Sequence, residues 1–164
     1  MTRFEAGPGD SPGFLLWHVT LRWQRHLTSA LAPVGLTHTQ FVLLACTWWL
    51  NEQGVHPNQL TVATQAGTDV KMASEVLRRL EARGLLARHA DQHDSRARAL
   101  AVTPVGAELA AQAIVIVEAA DQAFFAGQSQ ALTEVLRPLV AERSAVPAPA
   151  PQLNVRTSAV MPSK

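Results

Sequence analysis

Residues 58–103 constrain this chain more than any other stretch. They read NQLTVATQAGTDVKMASEVLRRLEARGLLARHADQHDSRARALAVT. Leu60, Ala63 and Ala66 recur at three-residue spacing and give a short first helix one apolar stripe. Gly67-Thr68-Asp69 interrupts that helix, because Gly67 can enter the left-handed conformation that ends a helix without strain. Asp69 is then a good N-cap for a second helix. There Ala73, Val76, Leu77 and Leu80 face inward at i, i+3, i+4 and i+7. Gly84 stops the second helix in its turn.

Two strand-length runs follow, Leu85 to His89 and Arg98 to Val102, around a polar loop from Ala90 to Ala97 that carries both charges. Such a pair predicts a hairpin whose tip reaches outward. Helix, glycine-bearing turn, helix and hairpin together predict a winged helix-turn-helix. In such a fold the second helix lies in the DNA major groove.

The runs LEARGLL, then D-x-x-D-x-R across Asp91, Asp94 and Arg96, then L-x-V-T-P-x-G ending at Gly106, resemble the multiple-antibiotic-resistance regulator (MarR) family. GLTHTQFVLL, Gly35 to Leu44, is similar to that family's second helix. The resemblance covers roughly residues 13–143. It implies a mainly α fold: a winged helix-turn-helix domain (about 37–103) with N- and C-terminal helices forming a dimerisation region (about 13–32 and 104–143). Residues 1–12 read as a flexible arm, and 144–164, Pro/Ala-rich and without periodicity, as a disordered tail.

Charge distribution supports a reading head on this stretch. Residues 59–103 hold seven basic side chains (Lys71, Arg78, Arg79, Arg83, Arg88, Arg96, Arg98) against five acidic ones. The segments on either side are neutral or slightly acidic, and the whole chain is only +1. That modest excess predicts a shallow salt dependence of binding.

Exposed positions expected on the second helix are Val70, Lys71, Met72, Ser74, Glu75, Arg78 and Arg79. Lys71 and Ser74 lie where base edges are usually reached. Glu75 can accept from cytosine N4, and Val70 or Met72 can touch a thymine methyl. The bland alternative for Glu75 is an ion pair with Arg78 or Arg79 at helical spacing. Arg78 and Arg79 suit phosphates better than bases. In the wing, Arg96 is the expected minor-groove contact, held by Asp94, with Arg98 beside it. The alternative is a salt bridge internal to the wing.

The remaining chain supplies the frame. A first helix is expected from Gly13 to about Ala32, stopped by Pro33. Its apolar residues (Leu16, Trp17, Leu21, Trp23, Leu27, Ala30, Leu31) cover more than one face, so it needs a second partner. Thr37 with Gln40 predicts a capping box for a second helix over His38 to Asn51, apolar nearly all round and expected as a buried spine. Thr103 and Pro104 predict the start of a long helix to about Ala126. Its stripe of Leu109, Ala113, Ile116, Ala120 and Phe124 is left without an obvious cover in its own chain. A last helix, Gln130 to about Glu142, contains Pro138, which predicts a kink or an early end. These unsatisfied stripes predict a twofold homodimer, as the resemblance also implies.

Trp17, His18, Arg22, His38, Trp48 and Trp49 are the expected lining of an effector cleft, where the resemblance implies small phenolic or aromatic acids bind. Indoles supply apolar walls, and Arg22 or His38 can meet a carboxylate. The alternative is that these tryptophans are ordinary core. His89 and His93, near Asp91 and Asp94, have metal-like spacing, but a hairpin tip is poorly preorganised, and no metal or cofactor is expected. Cys46, the single cysteine, reads as an inert thiol in an apolar helix.

No leader segment or membrane-length apolar run is evident, so a cytoplasmic setting is expected. The expectation is a homodimeric, ligand-responsive repressor that binds duplex DNA and is not an enzyme. No nucleophile elbow, phosphate loop or paired carboxylates appear. A winged-helix module that pairs with proteins is the alternative, and a dimerisation domain of an enzyme comes third.

Overall fold

A computed structural model describes residues 7–90 and 98–141. They form two compact units, divided after Gly127. In the first, α1 (Pro12–Leu31), α2 (His38–Glu52), α3 (Gln59–Gln65) and α4 (Val70–Ala82) lead into an antiparallel pair, β1 (Leu86–Ala90) and β2 (Arg98–Val102), and then α5 (Pro104–Phe125). The second unit holds α6 (Ser129–Ala141). No single helix among the described residues is long and apolar enough to cross a membrane.

Helix ends follow the local chemistry of the sequence. Ser11 caps α1 by accepting from the Phe14 N–H. Thr37 and Gln40 form the reciprocal capping box of α2, and Asp69 accepts from the Lys71 and Met72 N–H groups to open α4. Gly67 and Gly84 both have positive φ. At each, the next residue bonds back five positions: Thr68 N to Ala63 O and Leu85 N to Leu80 O, both 3.0 Å. This double closure satisfies the last carbonyls of α3 and α4. It also holds Leu85 in the stop of α4, so β1 begins at Leu86, one residue later than the strand expected from sequence.

The core is a leucine cluster centred on α2, which packs against α1, α3, α4, α5 and β2. Leu27, Leu31, Leu43, Leu44, Leu77, Leu80 and Leu100 are wholly buried. Each such side chain contributes roughly 1.5–3 kcal/mol over leaving it in water.

Three expectations about faces need correction. Leu60 is 57% exposed, while Val62 and Ala63 are buried. A two-turn helix wedged against α2 and α4 turns whichever pair meets them, not the residue nearest its start. The α5 stripe is covered only in part within its own unit: Ala113 and Ala120 are buried together with Ala110 and Val117 where α1 and α2 pack on the helix, while Leu109, Ile116 and Phe124 are partly buried. Finally, α2 buries Leu43, Leu44, Thr47 and Leu50 but leaves Trp49 51% exposed.

Two apolar surfaces remain open. On α1, Phe14, Leu15, Leu16, Trp17 and Val19 are exposed along its N-terminal half; on α6, Val135, Leu139 and Val140 are exposed. Helix α6 continues through Pro138 to Ala141 and so does not end early there.

Candidate nucleic-acid interface

Helix α4 buries one face and presents the other. Ala73, Leu77 and Leu80 are in the core, whereas Val70, Lys71, Met72, Glu75, Arg78 and Arg79 are exposed and Ser74 is partly so. The helix N-terminus is fixed by the Asp69 cap. Its far end is tied twice. The Arg83 guanidinium donates to the Gly35 carbonyl at 2.9 Å, bridging back to the turn before α2. Arg88 on β1 pairs with Glu81 at 3.0 Å, which fastens the hairpin base to the same helix. The outward face of α4 is therefore carried on a scaffold braced at both ends.

Along that face Glu75 pairs with Arg79 one turn on. The pair is well exposed, so it contributes only about 0.3–0.5 kcal/mol to the helix. Lys71 and Arg78 have no carboxylate partner among the described residues and are open to an anionic backbone. Arg98 is exposed at the first position of β2. Asp94 and Arg96, with Asp91 and His93, lie outside the described residues; His89 is exposed on β1.

The hairpin is joined to its surroundings on both sides. β1 and β2 pair in register from Leu86↔Val102 to Ala90↔Arg98. Thr103 closes the junction with α5: its hydroxyl donates to Gly84 O at 2.7 Å and accepts from Gly106 N at 3.0 Å. Gly106 lies so close to the Leu85 carbonyl that a Cβ there would overlap it. The residues of the L-x-V-T-P-x-G run thus act as cap, helix start and clearance for this crossing.

The residues expected to line an effector cleft are spread over the unit. Trp17, His18 and Arg22 are exposed on α1, Trp48 is half-buried and Trp49 exposed. His38 is brought against Trp23, edge to face at 5.0 Å, and Trp23 in turn donates its indole N–H to Asp121 at 2.7 Å. Burial lowers the His38 pKa below its ordinary 6.5, opposed by the negative charge of Asp121. Arg22 lines an open recess of about 430 Å³ with Arg25, His26, Ser29 and Phe124. Sequence reasoning had no signal for Asp121 or Trp23 in this cluster, since they lie 98 positions apart. Cys46 is half-buried, and burial pushes its thiol pKa up, away from the reactive thiolate.

Residues 36–97 match the model of the MarR family. The chain is 44% identical over 121 residues to an uncharacterized HTH-type transcriptional regulator, YdcH, of Bacillus subtilis (strain 168), a match covering 74% of this chain and 82% of that one. It is 33% identical over 113 residues to the HTH-type transcriptional repressor Rv2887 of Mycobacterium tuberculosis, covering 68% of this chain and 78% of the repressor. Among solved structures, CouR from Rhodococcus jostii RHA1 bound to p-coumaroyl-CoA superposes with a TM-score of 0.75 at 28% identity, covering 88% of this chain and 98% of CouR. CouR bound to a 23-mer DNA duplex superposes with a TM-score of 0.70 at 25% identity, covering 88% of this chain and all of that one. With its capped reading helix, its paired strands and these relatives, the chain belongs to the MarR family of helix-turn-helix transcription regulators.

Proposed function

We propose that this protein is a ligand-responsive repressor that acts in the cytoplasm as a homodimer on a near-palindromic duplex operator. The observation that carries this reading is the braced outward face of α4, with Lys71, Arg78 and the Glu75–Arg79 pair exposed on a helix whose other side buries Ala73, Leu77 and Leu80 in the core. In this reading Val70, Lys71, Met72, Ser74 and Glu75 meet base edges, and Arg78 and Arg79 meet phosphates. Arg96, supported by Asp94 and flanked by Arg98, enters the adjacent minor groove.

Dimerisation uses the open apolar surfaces of α1 and α6 and sets two reading helices about 34 Å apart, one helical turn of DNA. The effector is an aromatic acid or its thioester, as the CouR complex suggests. Trp17, His18, Arg22, His38, Trp48 and Trp49 are the residues assigned to it. Such a ligand lowers DNA affinity by binding better to a dimer whose heads are wrongly spaced. The protein carries out no catalysis in this role.

Selection of bound sequences from random duplex DNA, with and without salicylate and p-coumaroyl-CoA, tests the reading. A near-palindromic consensus lost on adding one of the ligands supports it. Failure to enrich any duplex overturns it.

A further inference from the structure

Asn51, in the last turn of α2, makes three hydrogen bonds that leave its helix. Its amide nitrogen donates to Val55 O at 3.1 Å and to Leu100 O at 3.2 Å. Its amide oxygen accepts from Val102 N at 2.8 Å. On the same edge of β2 the Leu100 N–H donates to Pro57 O at 2.8 Å. The other edge of β2 is taken by β1.

A primary amide carries a donor and an acceptor with the spacing of a peptide group, so it can stand in for a neighbouring strand. Here one side chain and one carbonyl together replace a third strand. They satisfy the Leu100 and Val102 backbone groups on the edge that β1 does not reach, groups that would otherwise be costly to bury. Because α2 also packs directly on α4, the same helix that supports the reading helix holds the second strand of the wing.

We propose that Asn51 is a positioning residue for duplex binding, setting β2, and with it Arg98, at a fixed pose relative to α4. This rests on the repressor reading above. It does not touch DNA itself: it is only partly exposed, and its amide is committed to Val55, Leu100 and Val102. Its part is to make the wing and the reading helix one rigid tool, which lowers the ordering cost of binding.

The test is a set of full-length variants measured by fluorescence anisotropy on a selected operator. Asn51→Ala is expected to weaken binding by about tenfold, in the range for losing a groove contact, and to flatten the salt slope by about one counterion. Arg98→Ala added to it is expected to cost little more, because the two act through one element. Thr47→Ala serves as the control. Its hydroxyl bonds Leu43 O within the same helix and not a strand, so Thr47→Ala should lower the melting temperature while leaving operator affinity and salt slope unchanged. Amide exchange at Leu100 and Val102 should accelerate in Asn51→Ala and not in Thr47→Ala. Should Asn51→Ala fail to fold, Asn51→Asp, which keeps the acceptor for Val102, is read in the same way. If the wild type binds no duplex, the repressor reading falls and the proposal with it. If the wild type binds but Asn51→Ala matches Thr47→Ala in affinity and slope, or adds fully to Arg98→Ala, the repressor reading stands and the positioning role is overturned.

Discussion

The Trp23 indole N–H donates to the Asp121 carboxylate at 2.7 Å, joining α1 to α5 across 98 residues. Hydrogen bonds to charged groups contribute about 1.5–3 kcal/mol, and this one is only part-buried, so the lower end applies. Trp23→Phe keeps most of the ring packing but leaves the carboxylate without its donor. It is expected to lower unfolding free energy by roughly 1.5 kcal/mol in urea titrations. Asp121→Asn retains an acceptor for the indole and should cost less; an equal or larger loss would mean that the bond is not the source of the effect.

The same cluster gives the protein an acid-sensitive joint. His38 is held neutral in the fold because burial lowers its pKa below 6.5, more than the negative charge of Asp121 raises it. Below pH 6.5 the unfolded chain therefore binds a proton at this site more readily than the folded one. Its share of stability is complete above 6.5 and is lost as pH falls below that value toward the lowered folded pKa. The urea midpoint of the wild type should drop between pH 7.5 and 5.5. His38→Gln, which cannot titrate, should drop less over the same interval. Parallel curves for the two proteins would remove His38 from the account.

Gly106 is expected to tolerate no side chain. Alanine is worth up to about 1 kcal/mol over glycine in a helix interior, and less in a first turn. Against that, a Cβ at Gly106 falls on the backbone carbonyl of Leu85, which is held by the Thr103 N–H at 3.1 Å and cannot swing away freely. Overpacking of this kind costs about 1–3 kcal/mol, so the clash wins. Gly106→Ala should melt several degrees below the wild type. A melting point at or above it would show that α5 shifts at no cost.

How much of this was legible before the coordinates depends on distance along the chain. The caps at Thr37, Asp69 and Thr103 and the stops at Gly67 and Gly84 are decided within a few residues, and all five fall where local chemistry puts them. The inward face of α4 was legible for the same reason, whereas β1 starts one residue later than expected because Leu85 is held in the stop of α4. The buried face of α3 was not: which of Leu60 or Val62 turns inward depends on where α2 and α4 lie. Nor was the covering of α5 by α1, or the bonds from Trp23 to Asp121 and from Asn51 to β2. Each joins residues about fifty or more positions apart, and no pattern in one sequence carries that information. Of the proposed DNA contacts, the spacing on α4 was readable, but the choice of Arg79 as partner for Glu75 follows from side-chain geometry.

That choice leads to a prediction about specificity. To reach a base edge, Glu75 must give up Arg79, a loss of about 0.3–0.5 kcal/mol for an exposed pair one turn apart. A well-placed contact to a base edge discriminates by about 1–3 kcal/mol, so in the proposed reading the pair would not block base contact and would release Arg79 to a phosphate when Glu75 engages. Glu75→Gln should therefore alter preference at one operator position in each half-site while leaving affinity for unrelated duplexes nearly unchanged. Arg78→Ala, which in the proposed reading removes a phosphate contact only, should weaken all sequences alike and lower the salt slope by about one. Arg96→Ala should lower operator affinity by about tenfold, most strongly where the flanks are A·T-rich and the minor groove is narrow. Binding profiles over a randomised operator library, collected at two salt concentrations, separate the three outcomes. If Glu75→Gln instead weakens every sequence equally, the glutamate serves only to orient Arg79, and base reading falls to Lys71 and Ser74.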